Sequence, residues 1–205
     1  MIRHKMTPTD FKTVSILVAT PLLLITRYYH VLRDSTTTVL LFYFLIPVAI
    51  ILLVFRENPK RFGFTLGNWR LGLLYFLVSA ASMSIVLFFM ARLPSFRTDY
   101  AWASLEGYGT KALLTWVLTK GAVAFAWEFF FRGFMLFGLE ERFGYYAILI
   151  QAIPFSLTHL GDPEIEAIST IFGGSAFGYM ALKSRSFLPA FLIHWFIIMA
   201  LTFFV

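Results

Sequence analysis

The chain has 205 residues, 59% of them hydrophobic and 14% charged, with 17 Lys plus Arg against 11 Asp plus Glu and a net charge of +6. A mean hydropathy of +0.77, at about half the charge of an ordinary soluble domain, excludes a soluble enzyme and requires lipid around the outer surface. With 25 Phe, 9 Tyr and 5 Trp the chain is not disordered, and with no Cys it has no disulfide, thiolate zinc site or cysteine nucleophile. The basic excess sits at the ends of apolar runs, where lipid headgroups hold it. Membrane lipid is therefore an expected partner, and nucleic acid is not.

An apolar stretch of roughly 20 residues crosses the hydrocarbon core as a helix. About seven such runs predict an all-α, polytopic membrane helix bundle, a single membrane domain over 1–205. The first covers residues 14–29 and the second 39–55, joined by a polar hairpin with Arg33 and Asp34. The basic and aromatic segment 56–64 suits a place at the membrane interface and is not expected to span. A third run covers 71–91, followed by the longest polar connection, 92–111. The fourth, 113–139, is long enough to span with tilt and carries Glu128 and Arg132. The fifth, 145–159, is short and stops at Gly161-Asp162-Pro163. The sixth covers 167–182, and the seventh starts near Phe187 with Pro189 in its first turn.

Counting Lys and Arg on each side predicts a cytoplasmic N-terminus. That orientation puts Arg3, Lys5, Lys12, Arg56, Lys60, Arg61, Arg70, Arg142, Lys183 and Arg185 inside and Arg27, Arg33, Arg92, Arg97 and Lys111 outside, ten against five. The first run reads as an anchor rather than a cleaved signal. Lys120 is expected to snorkel outward, Trp69, Trp102 and Trp116 to lie in interfacial belts, and His4 and His30 to be solvated at the membrane edge.

A charge at the bilayer centre costs at least about 2.5 kcal/mol on insertion scales, so intramembrane ionisable groups point to function. Glu128 is the deep carboxylate, and Arg132, four residues later, shares its helix face. His159 and His194 fall in or at the end of two other apolar helices. A carboxylate with two imidazoles supports activation of water at an amide: the carboxylate takes a proton, and the imidazoles hold a divalent metal or stabilise an oxyanion. The G-x-x-x-G pattern at Gly174 and Gly178 predicts close helix packing, with Gly173 and Gly178 making room near the site.

The stretch Glu128-Phe129-Phe130-Phe131-Arg132-Gly133, then Phe155-Ser156-Leu157-Thr158-His159, then His194-Trp195, resembles the CAAX-protease and bacteriocin-processing family of intramembrane endopeptidases. The likeness covers about the C-terminal half, with a family core over 112–205. It implies hydrolysis of a peptide bond in a membrane-associated peptide or protein, in a membrane that is prokaryotic by analogy. Glu128, His159 and His194 would be catalytic, and Arg132, Phe155 and Glu166 supporting. The cofactor would be none or one divalent metal, zinc being possible. Any metal would be held by His159, His194 and Glu128.

Two positions depart from the family pattern. The family has adjacent glutamates where this chain has Trp127-Glu128, the first of them activating water and the second pairing with the arginine. It has Asn or Asp four residues after the last histidine, where this chain has Ile198. Glu128 could be the base itself, or Glu164 or Glu166 could fold back into the site; the alternative for these two is a solvated helix start. The functional alternatives are a catalytically impaired member acting as a membrane scaffold, immunity or partner-binding protein, and a small transporter using the same groups as a proton relay.

Overall fold

The computed structural model describes residues 7–29, 31–104 and 109–204. Arg3, His4, Lys5 and His30 lie outside them, as does the side chain of Arg27. Among the described residues the chain is helical with no β-strand, apart from an isolated bridge between Leu160 and Asp162.

Helix α1, Pro8–Tyr28, starts at a capping box in which Thr7 Oγ1 accepts from the Asp10 amide and Asp10 accepts from the Thr7 amide, both at 3.1 Å. Helix α2, Ser35–Phe55, is capped by Asp34, which accepts from the Thr37 amide at 2.6 Å. The Thr37 hydroxyl and amide hold the Asp34 carboxyl below the usual carboxylate range. Leu41–Leu45 and Ile50–Phe55 wind as wide π turns on either side of Pro47, whose ring would collide with a carbonyl one turn earlier in a regular α-helix.

The segment after α2 is not among the helices long and apolar enough to span, and one of its rings turns inward. A left-handed Arg56 ends α2, a 3₁₀ turn follows at Pro59–Phe62, and Phe62 is driven into the bundle, 1% exposed. Phe62 stacks on Phe55 with ring centroids 6.3 Å apart. At Gly63, with φ at +73°, a Cβ would lie 2.2 Å from the Phe137 ring, so only glycine passes. The Ser186 hydroxyl donates to the Thr65 carbonyl, and the Asn68 amide donates to the Ser184 carbonyl at 2.7 Å, fastening this loop to the far end of the chain.

Helix α3, Trp69–Met90, is peripheral, with only 6% of its apolar window buried. The polar connection contains a short helix, α4, Pro94–Asp99, and a 3₁₀ turn at Ala101–Ala103. Phe96, Tyr100 and Ala103 pack there with Leu87, Ala91, Ala200 and Leu201.

Helix α5, Thr110–Phe143, is the axis of the molecule, with 83% of its apolar window buried. At roughly 1.5 Å per residue it is far longer than the ~30 Å hydrocarbon core. Its end reaches the polar N-terminus of α1, where Lys12 Nζ lies 2.8 Å from Glu141. Packing rather than hydrophobic burial holds helices together in lipid, and aromatic rings supply it here. Tyr43 of α2 meets Phe130 at 5.1 Å and Trp127 at 5.2 Å, and Phe44 meets Phe129 at 5.2 Å.

Three helices complete the bundle: α6, Tyr146–Leu157; α7, Glu164–Ser184; and α8, Leu188–Phe204. Among the described residues five helices are long and apolar enough to cross a membrane, and α6 and α8 are shorter apolar helices. Together they account for the seven apolar runs, and the protein is an integral membrane helix bundle.

Candidate active site

Glu128 is the last residue of the α-helical part of α5, and wide π turns run from Phe129 to Phe137. Arg132 shares its face, with Nη1 3.0 Å from Glu128 Oε2 and 3.1 Å from Oε1, and both residues are 0% exposed. A charge inside apolar helices persists only with such a partner. His194, in the second turn of α8, brings Nδ1 to 2.7 Å from Glu128 Oε1. Glu128 therefore ties α5 to α8.

Arg132 extends the network to α7, since Nη2 donates to the Gly174 carbonyl at 3.3 Å. Gln151 of α6 donates to the same carbonyl at 2.9 Å. The guanidinium lies 4.1 Å above the Phe155 ring. This approach requires a glycine: a Cβ at Gly174 would fall 2.9 Å from Phe155 Cδ1 and 3.3 Å from Arg132 Nη2. Gly178 packs on α6 in the same way, with Gln151 Nε2 2.8 Å from where its Cβ would be. Gly173, expected to make room near the site, faces open space instead, because it sits one residue around the helix from Gly174.

His159 lies just past the end of α6. Its Nδ1 is 2.9 Å from Asp162 Oδ2 and 3.4 Å from Glu166 Oε1. Glu166, in the first turn of α7, also accepts a hydrogen bond from the Tyr100 hydroxyl. Burial first, and then the bond to Glu166, push the Tyr100 phenol well above its ordinary range, so it remains a donor at physiological pH. The Phe155 ring stands between the two imidazoles, 5.1 Å from His159 and 6.5 Å from His194.

Both histidines thus engage carboxylates through Nδ1. Among the described residues, Nε2 of each has no hydrogen-bond partner in the protein. An Nδ1–H given to a carboxylate fixes the ring, leaving Nε2 as a lone pair in the neutral form and as a donor in the protonated form.

The set named from the sequence for a metal, His159, His194 and Glu128, does not converge. Glu128 is engaged by Arg132 and His194 inside the bundle. Among the described residues, the three groups whose donor atoms lie within 4.8 Å of one another are His159, Asp162 and Glu166. Glu164 is exposed and takes no part. Trp127 fills the place beside His159, its ring centroid 6.4 Å from the imidazole and 5.6 Å from Phe131. Ile198 sits one turn beyond His194 on α8, half-buried.

Sequence reasoning passed over Tyr100, Gln151 and the side chain of Asp162. Gln151 carried a signal, an amide in an otherwise apolar helix. Asp162 was read only as part of a stop signal, and Tyr100 had no local pattern to mark it.

Residues 109–199 match the model of a protein family described as type II CAAX prenyl endopeptidase Rce1-like. Over that stretch the chain is similar to the CAAX-protease family. No curated protein and no solved structure matches the chain. The matched stretch runs from the start of α5 into α8 and takes in Glu128, Arg132, His159, Asp162, Glu166 and His194, whereas Tyr100 precedes it.

Proposed function

We propose that the protein is an intramembrane endopeptidase that hydrolyses a peptide bond in a membrane-associated substrate, with 112–205 as the catalytic core of a single membrane domain. The observation that carries this reading is the pair of imidazoles flanking Phe155, each oriented by a carboxylate through Nδ1 with Nε2 left for substrate. In this reading a water attacks the scissile carbonyl beside His159. His194, held through Nδ1 by Glu128, offers Nε2 to the oxyanion. Glu128 and Arg132 hold that imidazole in place rather than touching substrate. The similarity of 109–199 to a CAAX prenyl endopeptidase family supports a prenylated C-terminal peptide as the substrate class. A divalent cation, if bound, would be held by His159, Asp162 and Glu166 and would polarise the carbonyl.

Hydrolysis is tested on the purified chain in liposomes with a membrane-anchored fluorogenic peptide, in farnesylated and unmodified forms. Cleavage by the wild type and its loss in His194→Ala, with unfolding behaviour unchanged, is the expected result. The second reading, an impaired member acting as a scaffold or partner-binding protein, is favoured by the packing of Trp127 where a carboxylate is usual. It prevails if only the double variant Trp127→Glu, Ile198→Asn cleaves.

We infer further that the N-terminus is cytoplasmic and the site opens on the opposite side. Lys12, Arg61 and Arg185 gather at the end of the bundle where α5 stops, while α6 runs away from that end to reach His159. Because the chain has no Cys, single-cysteine variants report this directly. A membrane-impermeant maleimide is expected to label Thr110→Cys on intact cells and Lys60→Cys only after permeabilisation; the reverse pattern inverts the topology.

A further inference from the structure

Trp127 leaves the site without the first carboxylate of the family's pair, and the fold brings a different one to the same imidazole. We propose that Glu166 is the carboxylate that takes the proton from the attacking water, and that Tyr100 positions it. The proposal rests on the peptidase reading above.

Glu128 is poorly placed for this task. It is 0% exposed, with Arg132 on one side and His194 on the other. A base must lie within hydrogen-bond reach of the proton it takes, and no water reaches a carboxylate sealed in this way. Glu166 differs in each respect. Its side chain is 28% exposed, Oε1 lies 3.4 Å from His159 Nδ1, and Oε2 accepts from Tyr100.

The ordinary explanation for a glutamate here is helix capping. Glu166 is the third residue of α7, where a capping box would turn its carboxylate back onto the amide of the residue preceding the helix. That residue is Pro163, which has no N–H, and no side-chain cap forms. Glu166 is turned instead toward His159 and Tyr100. Tyr100 comes from the connection before α5, well away in sequence, and it is buried against Phe96 with ring centroids 4.5 Å apart. A hydroxyl held this firmly fixes one carboxylate oxygen and leaves the other for water.

The water oxygen bonds to the carbonyl carbon as its proton passes to the Glu166 carboxylate, and the carbonyl π pair moves onto oxygen, where the His194 Nε2–H holds it. Collapse of the tetrahedral intermediate expels the amine as the C–N bond breaks. The Glu166 carboxyl gives its proton to that nitrogen and returns to carboxylate. One peptide and one water give one acid and one amine.

The test measures kcat and KM of the full chain in liposomes on the same farnesylated and unmodified fluorogenic peptides, with thermal unfolding recorded for every variant. Glu166→Gln is expected to lower kcat by about 10²–10⁴-fold while KM moves little, and Glu166→Asp to retain part of the rate. Tyr100→Phe is expected to lower kcat by about tenfold and to shift the acid limb of the pH–rate profile, which a merely structural tyrosine would not do. Adding Trp127→Glu to Glu166→Gln is expected to restore cutting, because it returns a carboxylate beside His159. The proposal is overturned if Glu166→Gln stays folded and cleaves normally while Glu128→Gln is dead, an outcome that leaves the peptidase reading standing. It is also overturned if a chelator abolishes cleavage and Zn²⁺ or Mn²⁺ restores it, since Glu166 then serves a cation with His159 and Asp162. A wild type that cuts neither peptide removes the peptidase reading, and the base with it.

Discussion

Glu128 meets His194 at 2.7 Å inside the bundle with its carboxylate fully buried, whereas His159 meets Asp162 at 2.9 Å and Glu166 at 3.4 Å on side chains 38% and 28% exposed. The same pairing of imidazole Nδ1 with carboxylate oxygen occurs in both places, but the solvent differs. In the sealed half, desolvation makes each charge depend on its partner, so Glu128 and Arg132 stand or fall together. In the open half, water screens the charges and also reaches them. The Glu128–Arg132 pair holds three helices in register and positions His194, whose side chain is 20% exposed, while the open half meets the substrate directly.

Breaking the sealed half gives the largest expected effect. Arg132→Met leaves the Glu128 carboxylate buried without its cation, and a loss of about 3–5 kcal/mol of stability is expected. Thermal or denaturant unfolding in detergent micelles measures it. Adding Glu128→Gln to the same chain is expected to recover part of that loss, because the remaining buried group is then neutral. Equal stability of wild type and Arg132→Met would mean that the pair does not hold the bundle.

How much of this was visible beforehand follows the same division. Glu128, Arg132, His159 and His194 were legible because an ionisable residue in an apolar run is anomalous on its own, whatever surrounds it. The seven apolar runs were legible for the complementary reason, and their edges shifted by a few residues where polar caps such as Thr7 and Asp34 extend helices beyond their apolar stretch. The π winding after Glu128 was not legible, since no proline marks it as Pro47 marks the turns of α2. Of the open half, His159 and Glu166 were named from the sequence, but not Tyr100, which lies 66 positions before Glu166 and meets it only through the fold. The metal set is a related case. Spacing along the chain shows that Glu128, His159 and His194 are unusual, but not that Phe155 stands between the imidazoles.

The junction between the halves runs through Gly174, and it yields a smaller effect with an internal control. Gly174→Ala forces a methyl to within 2.9 Å of Phe155 and 3.3 Å of Arg132. Crowding of this kind costs about 1–3 kcal/mol, and displacement of Phe155 is expected to lower cleavage in parallel. Gly173→Ala, next to it and facing open space, is expected to change stability by less than about 0.5 kcal/mol. Identical behaviour of the two variants would show that α6 and α7 are not in the close contact described.

The smallest structural effect is expected at Asp162, and for that reason it separates the halves most sharply. Asp162 makes the shorter of the two carboxylate contacts with His159, yet its side chain is 38% exposed. Exposed ion pairs contribute about 0–1 kcal/mol, so Asp162→Ala is expected to leave unfolding almost unchanged. Activity should respond differently. With Asp162 removed, Glu166 becomes the remaining carboxylate for His159 Nδ1, and its Oε1 is drawn away from the position where it would meet water. A fall in kcat with stability preserved is the expected signature, measured as turnover beside thermal unfolding on the same preparation. Were Asp162→Ala instead to destabilise the protein as strongly as Arg132→Met, the open half would be as structural as the sealed one, and the division between holding and chemistry would not stand.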